Sequence, residues 1–198
     1  MDESGAHTSA RLRSLAERWA EADAAERSNA QSYLIELTEA LGVERPRPRG
    51  GGYEFEFPVR VVARDGSETV KFVDLFKGGC FVLEAKDDGG DASPELLLRK
   101  AFGQASEYAA FAPGGPPPYL MVLDVGRTLL VWDRWHGTYG GFQAAKRIDL
   151  PSLAERPDDI ALLQAVWDSE GTRFVDGSCV CDHLGDLPSL PPLPRTTR

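Results

Sequence analysis

The stretch from Val70 to Lys86 constrains the fold of this chain more than any other part of the sequence. It predicts two short strands around a Gly-Gly turn, with Asp74 late in the first strand and Glu84 and Lys86 ending the second. Because side chains alternate along a strand, Glu84 and Lys86 share one face, and the hairpin brings Asp74 close to Glu84. Charged groups on an apolar strand need one another, a metal ion or a cleft open to water. The hairpin therefore predicts a patch of two carboxylates and one ammonium group, which suits a divalent cation and a water nucleophile.

The sequence on either side of this hairpin predicts an α/β (α+β) domain. The other predicted elements are helices at Thr8–Ala22, Ala25–Leu41 and Pro94–Phe111, and strands at Tyr53–Ala63, Tyr119–Val125 and Thr128–Trp132. This order gives a mixed sheet of about five strands flanked by helices. The pattern weakens after residue 147, so we predict one domain over residues 1–147. Residues 148–198 are predicted to form a peripheral helical segment and a Pro-rich, flexible tail.

The second predicted helix carries several acidic residues, of which one leans inward. On a helical wheel, Glu26 lies beside Tyr33 and Leu37, at the edge of the apolar face. Glu36 lies on the opposite side, which we predict to be solvated. Glu26 is therefore the acid of this helix that we expect near the interior.

The charge of the chain limits how it can act on nucleic acid. It has 31 acidic and 22 basic residues, a formal net charge of −9. A protein that grips DNA alone usually presents a basic face, because neutralised phosphates supply most of the non-specific affinity. Local basic residues could line one side of a groove, namely Arg45, Arg47, Arg49, Arg99 and Lys100. They are too few to replace a DNA-binding domain, so a partner would have to supply most of the affinity for DNA.

Cysteine content and hydropathy indicate the compartment. The three cysteines do not make a disulfide framework, which favours a reducing environment. No apolar run reaches membrane-spanning length, and the first residues carry no signal-peptide pattern. We therefore expect a cytoplasmic protein without a membrane contact.

The spacing of the charged residues in the hairpin resembles that of the PD-(D/E)XK nucleases. Asp74, nine intervening residues and then Glu84-x-Lys86 follow the pattern of that superfamily, with Val73-Asp74 where many members have Pro-Asp. Gln104 and Tyr108 fit a Gln-x-x-x-Tyr element that some members carry on the following helix, and their spacing puts them on one helix face.

Segments on both sides of the hairpin restrict the resemblance to a smaller group of these nucleases. The segments that carry it are, in order, Glu26 to Leu37, Tyr53 to Phe55, Val73 to Gly79, Glu84 to Lys86, Gln104 to Tyr108, Pro118 to Val122 and Leu129 to Asp133. Together they resemble the N-terminal nuclease region of the MmeI-like type IIL restriction–modification enzymes. The resemblance implies a restriction-endonuclease-like core over residues 1–147. Those enzymes also carry a methyltransferase and a target-recognition domain, whereas this sequence contains no methyltransferase glycine loop. The resemblance therefore implies a partner that carries a DNA methyltransferase or target-recognition domain. It also implies double-stranded DNA as the substrate.

The resemblance also implies a chemistry, namely phosphodiester hydrolysis with Mg²⁺ or Mn²⁺. Asp74, Glu84 and the carbonyl of Ala85 would coordinate the metal, and Lys86 would orient the attacking water. The remaining implied site residues are Glu26, which would reach the site from the second helix, and Gln104 and Tyr108, which would position Lys86 or the phosphate.

Other interpretations compete with this one. An isolated Glu-x-Lys is more often a surface ion pair than a site. The acidic charge, the small size and the Pro-rich tail favour a catalytically silent module that keeps the nuclease fold and serves in assembly, whereas the intact Asp74, Glu84 and Lys86 argue against it. Cys179, Cys181 and His183 offer three soft ligands, but their one-residue spacings do not match common zinc sites, and whether they bind anything stays open.

Overall fold

The computed structural model describes residues 3–22, 29–47, 51–86, 93–133 and 135–169, together with the backbone of residues 174–175 and 178–179. The helices are α1 (Glu3–Ala20), α2 (Ala30–Leu41), α3 (Pro94–Ala110) and α4 (Pro157–Asp168). The strands are β1 (Tyr53–Val62), β2 (Glu68–Lys77), β3 (Phe81–Ala85), β4 (Tyr119–Asp124), β5 (Thr128–Asp133), β6 (Lys146–Asp149), β7 (Phe174–Val175) and β8 (Ser178–Cys179). None of the helices in these described ranges is long and apolar enough to cross a membrane.

The first six strands form one mixed sheet, in the spatial order β1-β2-β3-β4-β5-β6. Neighbouring strands are antiparallel except β3 and β4, which are parallel and are connected through α3. The sheet has one strand more than the five predicted. The additional strand, β6, is short and charged, and only Ile148 among its four residues is buried. Such a strand has too little alternation to be recognised from sequence.

Helices cover both faces of the sheet. The first hydrophobic core contains Phe81 and Leu83 of β3 with residues of α1, α2 and α4. The second core, on the other face, contains Val82 of β3 with Leu98 and Tyr108 of α3. The predicted alternation along this strand is therefore confirmed, and Glu84 and Lys86 continue on the face that α3 covers.

Both termini of α1 and the first residue of α2 differ from the predicted bounds. Helix α1 covers Glu3–Ala20 rather than Thr8–Ala22. Helix α2 ends as predicted, at a left-handed Gly42 whose N–H bonds to the carbonyl of Glu39 at 3.1 Å. It begins at Ala30 rather than Ala25, because Asn29 is a non-helical N-cap whose side chain accepts a hydrogen bond from Ser32 N at 3.0 Å.

The segment after residue 147 includes part of the core. Strand β6 runs across positions 147 and 148. Helix α4 buries Leu163, Val166 and Trp167 completely, and the Trp167 Nε1 donates to the Tyr53 hydroxyl at 2.8 Å. The division into residues 1–147 and 148–198 stays a prediction, and residues 180–198 of the predicted tail lie outside the described part of the chain.

Candidate active site

The hairpin of β2 and β3 brings the two predicted carboxylates together. Leu75 pairs with Leu83 and Phe76 with Val82, so the next residues along, Asp74 and Glu84, face each other. The Asp74 N–H donates to Glu84 Oε1 at 3.2 Å, and the Ala85 N–H donates to Asp74 Oδ2 at 2.7 Å. Each carboxylate is thus held by a backbone N–H of the opposite strand. The close approach predicted from the position of the turn is confirmed.

Lys86 lies at the end of β3 and is almost fully buried. Its side chain is 3% exposed, and its ammonium lies 3.1 Å from the carboxylate Oδ1 of Asp124. Glu84 is 5% exposed, whereas Asp74 is half-buried. Burying ionised groups is unfavourable unless they are paired and hydrogen-bonded. The patch is therefore an internal charged cluster at a strand end, not the surface ion pair that an isolated Glu-x-Lys would suggest.

Asp124 is a member of this cluster that sequence reasoning missed. It ends β4 after five apolar residues, and it is 6% exposed. A carboxylate at the end of an otherwise apolar strand is the same pattern that identified Glu84 as a candidate site residue. It was not recognised because only the parallel register of β3 and β4 shows that Asp124 lies next to Lys86.

Helix α3 adds Gln104 and Tyr108 on the same side of the sheet. The two residues are one helical turn apart on one face of α3, and Tyr108 is buried. The pKa of Tyr108 is raised, first by burial and then by the negative charges of Glu84, Glu107 and Asp74, while the neighbouring amide of Gln104 opposes the rise. The phenol is therefore neutral near pH 7 and remains a hydrogen-bond donor close to both carboxylates.

Several predicted residues fall elsewhere. Glu26, Cys181 and His183 lie outside the described residues, and Cys179 is described only as backbone in β8. Glu36 is not simply solvated as predicted. Its side chain is 32% exposed, and its carboxylate contacts α1 through an ion pair to Arg18 and a 3.0 Å hydrogen bond from the indole N–H of Trp19.

The chemistry of the carboxylate pair fits a hard divalent cation. Asp74 and Glu84 supply oxygen donors of the kind that Mg²⁺ prefers, and two adjacent negative charges favour a cation between them. Within the described ranges there is no cluster of three or more His, Cys, Asp or Glu side chains that could hold a metal. Backbone oxygen and water are further ligands of the kind that Mg²⁺ commonly takes.

The open six-stranded mixed sheet, flanked by helices and carrying this cluster at the ends of its central strands, is consistent with a restriction-endonuclease-like core. The chain belongs to the family of the MmeI N-terminal domain, whose family model matches residues 10–174. That family is the nuclease domain of MmeI-type restriction enzymes. No curated protein matches the chain, and no solved structure matches it either.

Proposed function

We propose that this chain is a Mg²⁺-dependent endodeoxyribonuclease of the PD-(D/E)XK type that acts in restriction or phage defence. The observation that carries the proposal is the hydrogen-bonded pair of Asp74 and Glu84 with Lys86 directly after the strand of Glu84, in a chain of this nuclease-domain family. A partner with a methyltransferase or target-recognition domain would select the DNA sequence.

The two carboxylates and the lysine have different roles in the proposed hydrolysis. Asp74 and Glu84 would hold Mg²⁺ together with the carbonyl oxygen of Ala85. The bound cation would lower the pKa of a water molecule and offset the charge that develops on the phosphate. The backbone N–H groups of Ala85 and Asp74 keep the two carboxylates in fixed orientations, which is the preorganisation that catalysis needs. Lys86 would orient the attacking water and compensate negative charge with its ammonium group.

Helix α3 would contribute to binding the scissile phosphate. Since burial and the neighbouring carboxylates raise the pKa of Tyr108, its hydroxyl keeps its proton throughout the neutral range. It can therefore donate a hydrogen bond to a phosphate oxygen. Gln104, one helical turn before Tyr108 on the same face of α3, would set the direction of that donor.

Cleavage of plasmid DNA tests this proposal. Supercoiled plasmid is incubated with micromolar protein at low salt, in parallel with Mg²⁺, Mn²⁺, Ca²⁺ or EDTA. We expect nicked and linear products with Mg²⁺ and Mn²⁺, and none with Ca²⁺ or EDTA. If folded protein yields no product with any of these metals, the proposal is wrong and the silent assembly module is the better description.

DNA affinity should be weak in the absence of a partner. Arg45, Arg47 and Arg99, three of the basic residues that could line a groove, each form an ion pair with a glutamate. With a net charge of −9 as well, the isolated chain has little attraction for a polyanion. We expect a Kd of about tens of micromolar or weaker, which rises steeply with salt and is independent of sequence. Titration of duplexes of different sequence with Ca²⁺, at two salt concentrations, measures this, and tight binding to one sequence would contradict it.

The two glutamates of the N-terminal helical region should differ in their effect on activity. We predict that Glu26→Gln lowers the cleavage rate more than Glu36→Gln does, because we place Glu26 toward the site. Glu36 has its partners on α1, and exposed ion pairs such as that with Arg18 contribute little to stability. Cleavage rates of the two variants, measured at equal folded concentration, provide the test. Equal losses would reject the inward position of Glu26.

A further inference from the structure

The end of β4 places a buried carboxylate beside the lysine of the candidate site. Ala85 pairs with Leu123 in the parallel register, and the Lys86 N–H donates to the Leu123 carbonyl at 2.7 Å. Lys86 and Asp124 therefore occupy adjacent positions on neighbouring strands. Their side chains meet at 3.1 Å between Nζ and Oδ1, with exposed fractions of 3% and 9%.

The backbone of Asp124 is itself fixed by a tight turn. The Arg127 N–H donates to the Asp124 carbonyl at 2.9 Å, and Gly126 adopts a left-handed φ of 68°. A Cβ added at Gly126 would lie 3.4 Å from the Cβ of Trp19, so this turn packs closely against α1. Asp124 is thus held at the end of a rigid strand, whereas a lysine side chain has four rotatable bonds and needs a partner to keep one position.

We propose that Asp124 is a positioning residue that holds the ammonium group of Lys86 in the candidate active site. The inference rests on the proposed nuclease function, in which Lys86 orients the attacking water. Asp124 would act through Lys86 without contacting the metal or the DNA. The guanidinium of Arg127, 4.0 Å from the same carboxylate oxygen and half exposed, supplies a second positive charge at this point.

The chain contains a matched pair elsewhere that separates positioning from stability. Asp159 of α4 lies 2.7 Å from the ammonium of Lys146 on β6, and its side chain is 11% exposed. It also lies 3.7 Å from Arg156, three residues away, as Asp124 lies near Arg127. Asp159→Asn therefore removes a similar charge from a similar environment, but on elements that do not carry the candidate site.

The experiment compares Asp124→Asn with Asp159→Asn in the full chain. One readout is the rate at which an amine reagent labels Lys86 and Lys146, followed by mass spectrometry. The others are the single-turnover rate of plasmid cleavage with Mg²⁺ and the DNA affinity with Ca²⁺. For Asp124→Asn we expect faster labelling of Lys86 and a cleavage rate lower by about 10- to 100-fold, with unchanged DNA affinity. For Asp159→Asn we expect faster labelling of Lys146 and unchanged cleavage.

Each result decides the inference. Wild-type cleavage by Asp124→Asn, or an equal loss in both variants, would overturn it. If the wild-type protein does not cleave DNA, the proposed function fails. The labelling rates still test whether Asp124 holds Lys86 in place. An unchanged labelling rate of Lys86 in Asp124→Asn would overturn that positioning role. If the asparagine variant does not fold, Asp124→Glu keeps the buried charge and should cut more slowly than wild type. A wild-type rate in that variant would reduce Asp124 to a role in stability.

Discussion

Replacement of Asp74 by alanine is expected to abolish metal-dependent DNA cleavage. The substitution removes one of two adjacent carboxylates and leaves Glu84 as the only proposed side-chain ligand. A catalytic metal supplies several kcal/mol of transition-state stabilisation. Because each 1.4 kcal/mol corresponds to a factor of ten, the rate should fall by about a thousandfold or more. Lys86→Ala should also abolish cleavage, since it removes the group proposed to orient the water.

Plasmid nicking with Mg²⁺ measures both losses, and thermal unfolding checks that the variants remain folded. Asp149→Ala is the matched control, because Asp149 is an exposed carboxylate at the end of β6, where it accepts a hydrogen bond from Ser152 N. It should cut at the wild-type rate. Undiminished cleavage by either Asp74→Ala or Lys86→Ala would remove the proposed mechanism.

Replacement of Trp167 by alanine is expected to cause a large loss of stability. Its ring is completely buried, lies 5.2 Å from the ring of Phe81, and donates a 2.8 Å hydrogen bond to the Tyr53 hydroxyl. The alanine variant would leave a cavity between α4 and the sheet as well as a buried hydroxyl without its donor. We expect the free energy of unfolding to fall by about 3–5 kcal/mol, as measured by urea denaturation.

Phe72→Ala is the control for this stability prediction. Phe72 is an aromatic residue of β2 that is 59% exposed. Its truncation should change the free energy of unfolding by no more than about 0.5 kcal/mol. A similar loss in the two variants would mean that α4 does not anchor the core as its contacts indicate.

Local patterns predicted the part of the site that local geometry determines. The Gly-Gly turn sets the register of β2 and β3, and that register alone places Asp74 opposite Glu84. The same alternation put Lys86 on the face of Glu84. The position of Gln104 and Tyr108 on one side of α3 likewise follows from helical spacing.

Features that depend on distant parts of the chain were not predictable in this way. Asp124 reaches Lys86 only because β4 lies parallel to β3, which no pattern within β4 reveals. The helical wheel of its own helix predicted that Glu36 is solvated, yet α1 packs against that side. Ile148 is the only buried residue of β6, so the pairing of that strand with β5 gives little periodic signal.

The parallel connection through α3 also separates the contacts of the site by their distance along the chain. The hairpin of Asp74 and Glu84 closes over a short loop, whereas the contact of Lys86 with Asp124 joins distant residues across the connection through α3. Contacts between distant residues carry the larger loop-closure cost and form more slowly. A nascent chain that ends within α3 therefore contains both carboxylates of the hairpin but not Asp124, and the cluster is complete only after β4 has been synthesised and has joined the sheet.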